Sequence, residues 1–260
     1  MNLAIPGDAA ADNRLVRTPG GRRLAFLAGP AILAVVAGGV AAGAEPSAPR
    51  HAVWSANRPD VVLSVRTRRR MVALSFDDGP NPRYTPAVLA MLRRVGAHAT
   101  FFDTGEHVAR YPELARRTVR MGNEVGNHTW DHPKLPGMHR ARVLAEVRRT
   151  SAAMRAAHVR ESDLFRPPYG AFDGEDASAV RQAGHLVVGW DLCVEKELRG
   201  RTTAEATARL LAKVHPGSII LAHDAGSPDR ARTLQALPLL LDGLRRQGYR
   251  VVTIGRLLRA

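Results

Sequence analysis

The strongest constraint on the fold is a rhythm that starts at Met71. Short apolar or β-rich runs recur seven times, at "MVALSF", "ATFFD", "NEVGNH", "DLFRP", "HLVVGW", "SIILAH" and "YRVVTI". Between them lie longer segments with apolar residues at helical spacing, such as "TPAVLAMLRRVG", "PELARRTVRMG", "RARVLAEVRRTSAAMRAA", "TAEATARLLAKVHPG" and "LQALPLLLDGLRRQG". Several stop at a glycine suited to a left-handed C-cap: Gly96, Gly122, Gly184, Gly217 and Gly248. Strands alternating with helices predict βαβ units and a mainly parallel sheet. Seven strands favour a closed or nearly closed barrel over an open doubly wound sheet.

In such a fold the C-terminal ends of the strands gather on one face, where sites are built. The stretch "ALSFDDGPNP" ends the first run on Asp77 and Asp78, with the turn-forming Gly79-Pro80 behind them. That turn lets two neighbouring carboxylates, which a regular strand would send to opposite faces, look into one cleft. His128 ends the third run, Arg166 the fourth, Trp190-Asp191 the fifth and His223-Asp224 the sixth. His128 and His132 of "NHTWDHP" stand at i, i+4, which puts two imidazoles on one side of a helical turn. Two histidines and one carboxylate make a three-ligand set with a position open to water, the pattern of a catalytic metal site and not of a closed structural one.

"SFDDGP", "HTWDH", "RPPYG", "GWD" and "LAH" stand in the order and spacing of the polysaccharide deacetylases, carbohydrate esterase family four. Residues from about 71 to 254 resemble that family, which includes the nodulation chitooligosaccharide deacetylases. The resemblance implies a distorted, TIM-like (β/α)7 barrel that removes N-acetyl groups from chitin or peptidoglycan, or O-acetyl groups from xylan. It implies one divalent metal held by Asp78, His128 and His132, zinc first with cobalt or nickel as alternatives, and Asp77 as the general base. It further implies Arg166 as the residue that orients Asp77, the backbone N–H of Tyr169 as an oxyanion donor, and His223 as the general acid. Leu221, Trp190 and Pro168 would line the acetyl pocket.

The run "WDLCVEKE" departs from the family's pattern. Cys193 stands where an Asp that partners the catalytic histidine is usual, and Lys196-Glu197 where Asp-Trp would follow. Asp191, Asp224 or Glu195 can take the missing role, and Asp191 is the expectation. Cys193 has no nucleophile signature around it and reads as a small buried hydrophobe at a strand end.

Upstream of the rhythm the chain changes character. Arg14, Arg17, Arg22 and Arg23 precede an uncharged run, "LAFLAGPAILAVVAGGVAAGA", that closes on an A-x-A site at Ala42-Gly43-Ala44. This is an export signal, with a trace of a twin-arginine pattern at Arg22-Arg23. Left uncleaved, residues 24–44 would be a membrane anchor, since about 20 apolar residues span a bilayer. The division is therefore 1–44 signal or anchor, 45–68 linker with a short strand at "VVLSV", and 69–260 catalytic domain working outside the cytoplasm, secreted or at the cell surface.

A formal charge of +14, from 38 basic residues against 24 acidic, suits an acidic wall polymer. The arginines are spread over many predicted helices and not gathered into a stripe with aromatics, which argues against a nucleic-acid partner. The single cysteine excludes an intrachain disulfide and a thiolate zinc cluster. The expected substrate is an N-acetylglucosamine-containing glycan, peptidoglycan ahead of chitooligosaccharide, with a monomer as the default. An O-acetyl xylan esterase and a non-catalytic wall-glycan-binding protein of the same fold are the alternatives.

Overall fold

A computed structural model describes residues 52–55, 58–226 and 230–260 of the chain. The signal or anchor expected over 1–44 lies outside the described residues, and among these no helix is long and apolar enough to cross a membrane. Two strands precede the rhythm, β1 (Ala52–Ser55) and β2 (Arg58–Val65). The seven expected runs supply β3 (Met71–Asp77), β4 (Thr100–Asp103), β5 (Glu124–Asn127), β6 (Glu161–Phe165), β7 (Leu186–Val187), β9 (Ile219–His223) and β10 (Arg250–Val252). A two-residue strand, β8 (Leu192–Cys193), continues the fifth run.

The five segments read as helical form α1 (Thr85–Arg94), α3 (Pro112–Arg120), α4 (Arg140–Ala156), α7 (Thr203–Leu211) and α8 (Ala231–Arg246). Further helices that the periodicity did not reveal are α2 (Gly105–Arg110), α5 (Gly174–Gln182), α6 (Val194–Leu198) and α9 (Ile254–Leu258). α5 and α7 begin at capping boxes, Asp173 with Asp176 and Thr202 with Glu205.

The main sheet is parallel in every pairing and runs β7-β6-β5-β4-β3-β9-β8. β10 pairs with the first half of β3. Strand β3 is buried along its whole length. Val72, Leu74 and Phe76 face outward onto Leu89, Leu92 and Leu240, while Ala73 faces inward with Phe102, Leu164 and Ile219. Each such large apolar side chain contributes about 1.5–3 kcal/mol on burial. Burial on both faces is why the strand reads as a continuous apolar run.

The two edges of this sheet, β7 and β8, are pieces of one run, so the sheet curls into a distorted barrel with a seam where that run breaks. β2 fills the seam. Val62 bridges Val188 and Ser64 bridges Ser218. The N–H of Gly189 donates to Val62 O and the N–H of Val65 to Gly217 O, each at 2.9 Å. The short strand expected at "VVLSV" is present and begins earlier, at Arg58, and the linker around it is corrected: Val61, Val62 and Val65 are buried in the barrel, and a solvated tether would not bury them.

Gly217 also has a different role from the C-cap expected of it. α7 ends at Leu211, and a Cβ on Gly217 (φ 90°) would lie 1.7 Å from the carbonyl oxygen of Val65. It is a close approach between β2 and the turn into β9. The other four predicted caps have positive φ just beyond α1, α3, α5 and α8.

Candidate active site

Alternation along β3 turns Asp77 inward after Ala73 and Ser75, and Asp77 is 3% exposed. Arg166, directly after β6, is fully buried beside it. Its Nη1 donates to Asp77 Oδ1 and to Ser75 Oγ, both at 2.8 Å. Its Nη2 and Nε donate to the carbonyls of Gly189 and Val188 at 2.9 and 3.3 Å, and its guanidinium lies 4.1 Å from the centre of the Phe102 ring. These contacts fix both the guanidinium and the carboxylate it holds.

Asp78 would point outward on a regular strand. Its φ of 74° reverses it, and a cis Gly79–Pro80 peptide follows. Asp is among the few residues that tolerate this region. The reversal therefore begins at Asp78, one residue earlier than the turn chemistry of Gly79-Pro80 indicated. Gly226 (φ 86°) leaves the space, since a Cβ there would lie 2.1 Å from Asp78 Oδ2. His107 Nδ1 donates to the Asp78 carbonyl at 2.7 Å, and Arg230 Nη2 lies 3.5 Å from Asp78 Oδ2.

His128 follows β5, and its Nδ1 donates to Arg166 O at 2.7 Å. A carbonyl only accepts, so Nε2 is left with its lone pair toward the site. Asp78 Oδ1 lies 3.5 Å from His128 Nε2 and 3.3 Å from His132 Nε2. The spacing of the two histidines was read as a helical turn, and that is corrected: residues 128–132 form a loop in which Thr129 (φ 65°) and His132 (φ 62°) are left-handed. The loop still brings the ring centres to 4.9 Å.

Ligand atoms of Asp78, His128 and His132 all lie within 4.8 Å of one another. Asp78 Oδ1 is buried and receives no hydrogen bond. An orphaned carboxylate oxygen between two imidazole nitrogens is a donor set that fits a divalent cation. Burial pushes the Asp78 carboxyl up, but the His128 imidazole foremost, then His223 and His132, brings it down to about 2. Burial, with His128 alongside, lowers the pKa of His132, which favours the neutral imidazole a metal requires.

His223 closes β9 and is partly buried. Its Nδ1 lies 3.2 Å from Glu195 Oε2, and its backbone N–H donates to Glu195 Oε1 at 3.0 Å. Thr233 Oγ1 donates to the same Oε1 at 3.0 Å. Burial alone would lower the pKa of His223; the Glu195 contact and charge, with Asp77 and Asp78 behind, raise it instead. Burial likewise opposes the charge on Glu195, but His223 lowers its pKa.

The partner expected for His223 was Asp191, and this is corrected. The Ile219 N–H donates to Asp191 Oδ1 at 2.8 Å, and His215 Nε2 lies 2.9 Å from Oδ2. Ile219 starts β9 and His223 ends it, so at about 3.3 Å per residue Asp191 sits roughly 13 Å along the strand from the imidazole. Asp224, the third option, is buried and takes the Thr85 hydroxyl; burial pushes its carboxyl up to about 7. Cys193 ends β8 with its Sγ 3.6 Å from Glu195 Oε2. It is half-buried, and burial followed by the Glu195 charge pushes its thiol up to about 11, so it is a poor nucleophile.

Tyr169 (φ 60°) lies in the 3-10 turn Pro168–Gly170, with its exposed ring edge-on to His132 at 4.4 Å. Pro168 is buried. Trp190 packs on Gly170 and lies 5.6 Å from the Arg166 guanidinium, in an apolar hollow of about 200 Å³ beside the cleft. Leu221 is buried on the same side of β9 as His223, two residues before it. A cavity of about 370 Å³ opens over the cluster, between Asp78, His107, Asp131, His132 and Tyr169.

A family model described as polysaccharide deacetylase matches residues 64–188. The chain is 34% identical over 200 residues to the peptidoglycan-N-acetylglucosamine deacetylase of Bacillus cereus, covering 76% of this chain and 93% of that protein. It is 37% identical over 193 residues to the chitooligosaccharide deacetylase of a Bradyrhizobium species, covering 70% and 88%. Among solved structures, the CE4 family pseudoenzyme BA3943 of Bacillus anthracis aligns with a TM-score of 0.70 at 26% identity, over 77% of this chain and 69% of that one. Sequence likeness over nearly the whole of two relatives agrees with a barrel whose strand ends carry the expected motifs, and the chain belongs to the polysaccharide deacetylase family.

Proposed function

We propose that the chain is a metal-dependent N-deacetylase of N-acetylglucosamine-containing glycans, with peptidoglycan the first substrate and chitooligosaccharide the next. One observation carries this reading. The Asp78–His128–His132 cluster, the Asp77–Arg166 pair and the His223–Glu195 pair share the C-terminal face of one sheet. A divalent cation held by the cluster, zinc first, would polarise the acetyl carbonyl and acidify the attacking water.

Asp77, its carboxylate oriented by Arg166, takes the proton from that water. The Tyr169 N–H donates to the carbonyl oxygen as negative charge develops on it. His223 delivers a proton to the departing sugar amine, which leaves poorly unless protonated. Glu195 keeps that imidazole charged until transfer. Leu221, Trp190 and Pro168 shape the apolar side of the acetyl pocket. Residues 24–44 would carry the protein out of the cytoplasm or anchor it at the cell surface, where peptidoglycan is met first.

One observation favours a second reading, a fold retained without turnover. Cys193 replaces the carboxylate usual in this family, and its raised pKa bars it from that role. What supports turnover is Glu195, which supplies a carboxylate from two positions along. Acetate release from peptidoglycan and from chitooligosaccharides, before and after chelation, decides between them. Release that chelation stops and Asp77→Asn abolishes supports the deacetylase. A metal-loaded, folded protein that releases nothing from either supports the silent reading.

A further inference from the structure

The face opposite the cleft carries a second feature that deacetylation does not use. A groove of about 690 Å³ lies where β3, β4 and β10 begin, lined by Arg245, Arg250, Arg256 and Arg259. An adjoining hollow of about 490 Å³ shares three of these and adds Arg69 and Arg70. All six arginines are exposed. Asp242 pairs with Arg245, Arg70 donates to the Gln247 carbonyl, and the charge of Arg259 acts on the half-buried Glu124. Arg69, Arg250 and Arg256 have no carboxylate partner among the described residues.

Topology explains part of this charge. Helices run back against the strands, so α1, α3, α4 and α8 end on this face, each with a basic last turn that suits the helix dipole. α9 adds Arg256 in its last turn and Arg259 at its C-cap, but capping does not explain Arg69, Arg70 or Arg250. "RTRRR" (66–70) lies in a loop and Arg250 in a strand, outside any helix. The chain also enters the domain here. Ala52 pairs with Val65, which is bonded to Gly217, whose N–H donates to the Met71 carbonyl at the start of β3. The apolar run read as signal or anchor ends at Ala44, eight positions before Ala52.

We propose that this arginine-lined groove docks on an anionic phospholipid bilayer and thereby turns the catalytic cleft away from the membrane. β3 separates the two faces by about 20 Å, since its seven residues span six steps of roughly 3.3 Å. An exposed basic groove on the face where the chain enters the domain, a few residues after an apolar run in the sequence, fits the basic clusters beside membrane segments that bind anionic lipid. The same placement favours a bilayer over a wall polymer or a nucleic acid. The proposal rests on the groove and the strand-end position of the cleft, and does not depend on turnover.

The test uses the full-length protein and vesicles of phosphatidylcholine with or without phosphatidylglycerol, at low and high salt. Phosphatidylglycerol raises the bound fraction, and high salt removes the increment. Each arginine near such a surface is worth about fivefold in partitioning. The triple variant Arg250→Gln, Arg256→Gln, Arg259→Gln therefore loses the increment by roughly a hundredfold, with phosphatidylcholine binding and circular dichroism unchanged. The corresponding triple lysine variant keeps it, which separates charge from misfolding. Equal partitioning of wild type and glutamine variant into anionic vesicles overturns the proposal. So does a wild type that ignores phosphatidylglycerol but is retained by a soluble glycerol-phosphate polymer or by DNA.

Discussion

The two sides of the cleft are built by different rules. On the metal and base side, Asp77 and Asp78 are neighbours in sequence, His128 and His132 share one loop, and bonds of 2.7–2.8 Å tie Arg166 to both. On the acid side, His223 and Glu195 come from different elements and meet at 3.2 Å only because β8 pairs with β9 in one register. The parts of the first side are written in short motifs, although they join across 38 to 89 positions of chain. The second joins residues only 28 apart, but no short motif holds both, and the register of β8 on β9 alone decides that Glu195 meets His223.

The comparison breaks most sharply at the cluster. Asp78→Ala or His128→Ala should empty the metal site by elemental analysis and remove several kcal/mol of transition-state stabilisation, a loss of roughly a thousandfold or more in turnover. Turnover at normal rate without metal would dissolve the distinction between the sides. Asp77→Asn should keep the metal and lower kcat by about 10²–10⁴. Gly226→Ala pushes a methyl group into Asp78 Oδ2 and should weaken metal affinity by about 10–100-fold in a chelator competition.

The smallest effect belongs to the acid side. His223 acts while protonated, so the rate falls as pH rises through its pKa, and Glu195 sets that pKa high. Glu195→Gln removes the first raising influence, and the alkaline limb of kcat should move to lower pH. The accompanying loss of rate should be on the order of tenfold, because the imidazole itself stays. Asp191→Asn should leave the limb in place. If Asp191→Asn moves it and Glu195→Gln does not, the acid side has been assigned to the wrong carboxylate.

Much of the fold was legible because buried parallel strands announce themselves as apolar runs, and all seven from Met71 onward are present. The Asp78–His128–His132 grouping was legible for another reason: the two histidines stand at i, i+4 and the resemblance of the motifs supplies Asp78, and the structure brings the three together. What could not be read were backbone turns and register. Residues 128–132 have helical spacing but left-handed dihedrals at Thr129 and His132, and periodicity carries no sign of φ. Asp191 and Glu195 lie four positions apart, and the pairing of Leu192 with Ile220 decides which of them reaches His223. "VVLSV" reads as a short strand within a linker, but its place in the barrel was not legible because its partners, Val188 and Ser218, are far along the chain.

That seam strand bears on how the protein can be made and rearranged. β2 leaves the ribosome with only its hairpin partner β1 made, and waits for residues near 188 and 217 before it can settle in the barrel. Contacts of such high sequence separation are slow to form, so closure of the barrel belongs late in folding. Gly189 takes its N–H to Val62 and its carbonyl to Arg166, which makes β2 the outermost link of a relay ending on Asp77. The family model begins at residue 64, inside this strand. A fusion or truncation cut at that boundary would keep every motif and lose the stave that holds the general base in line.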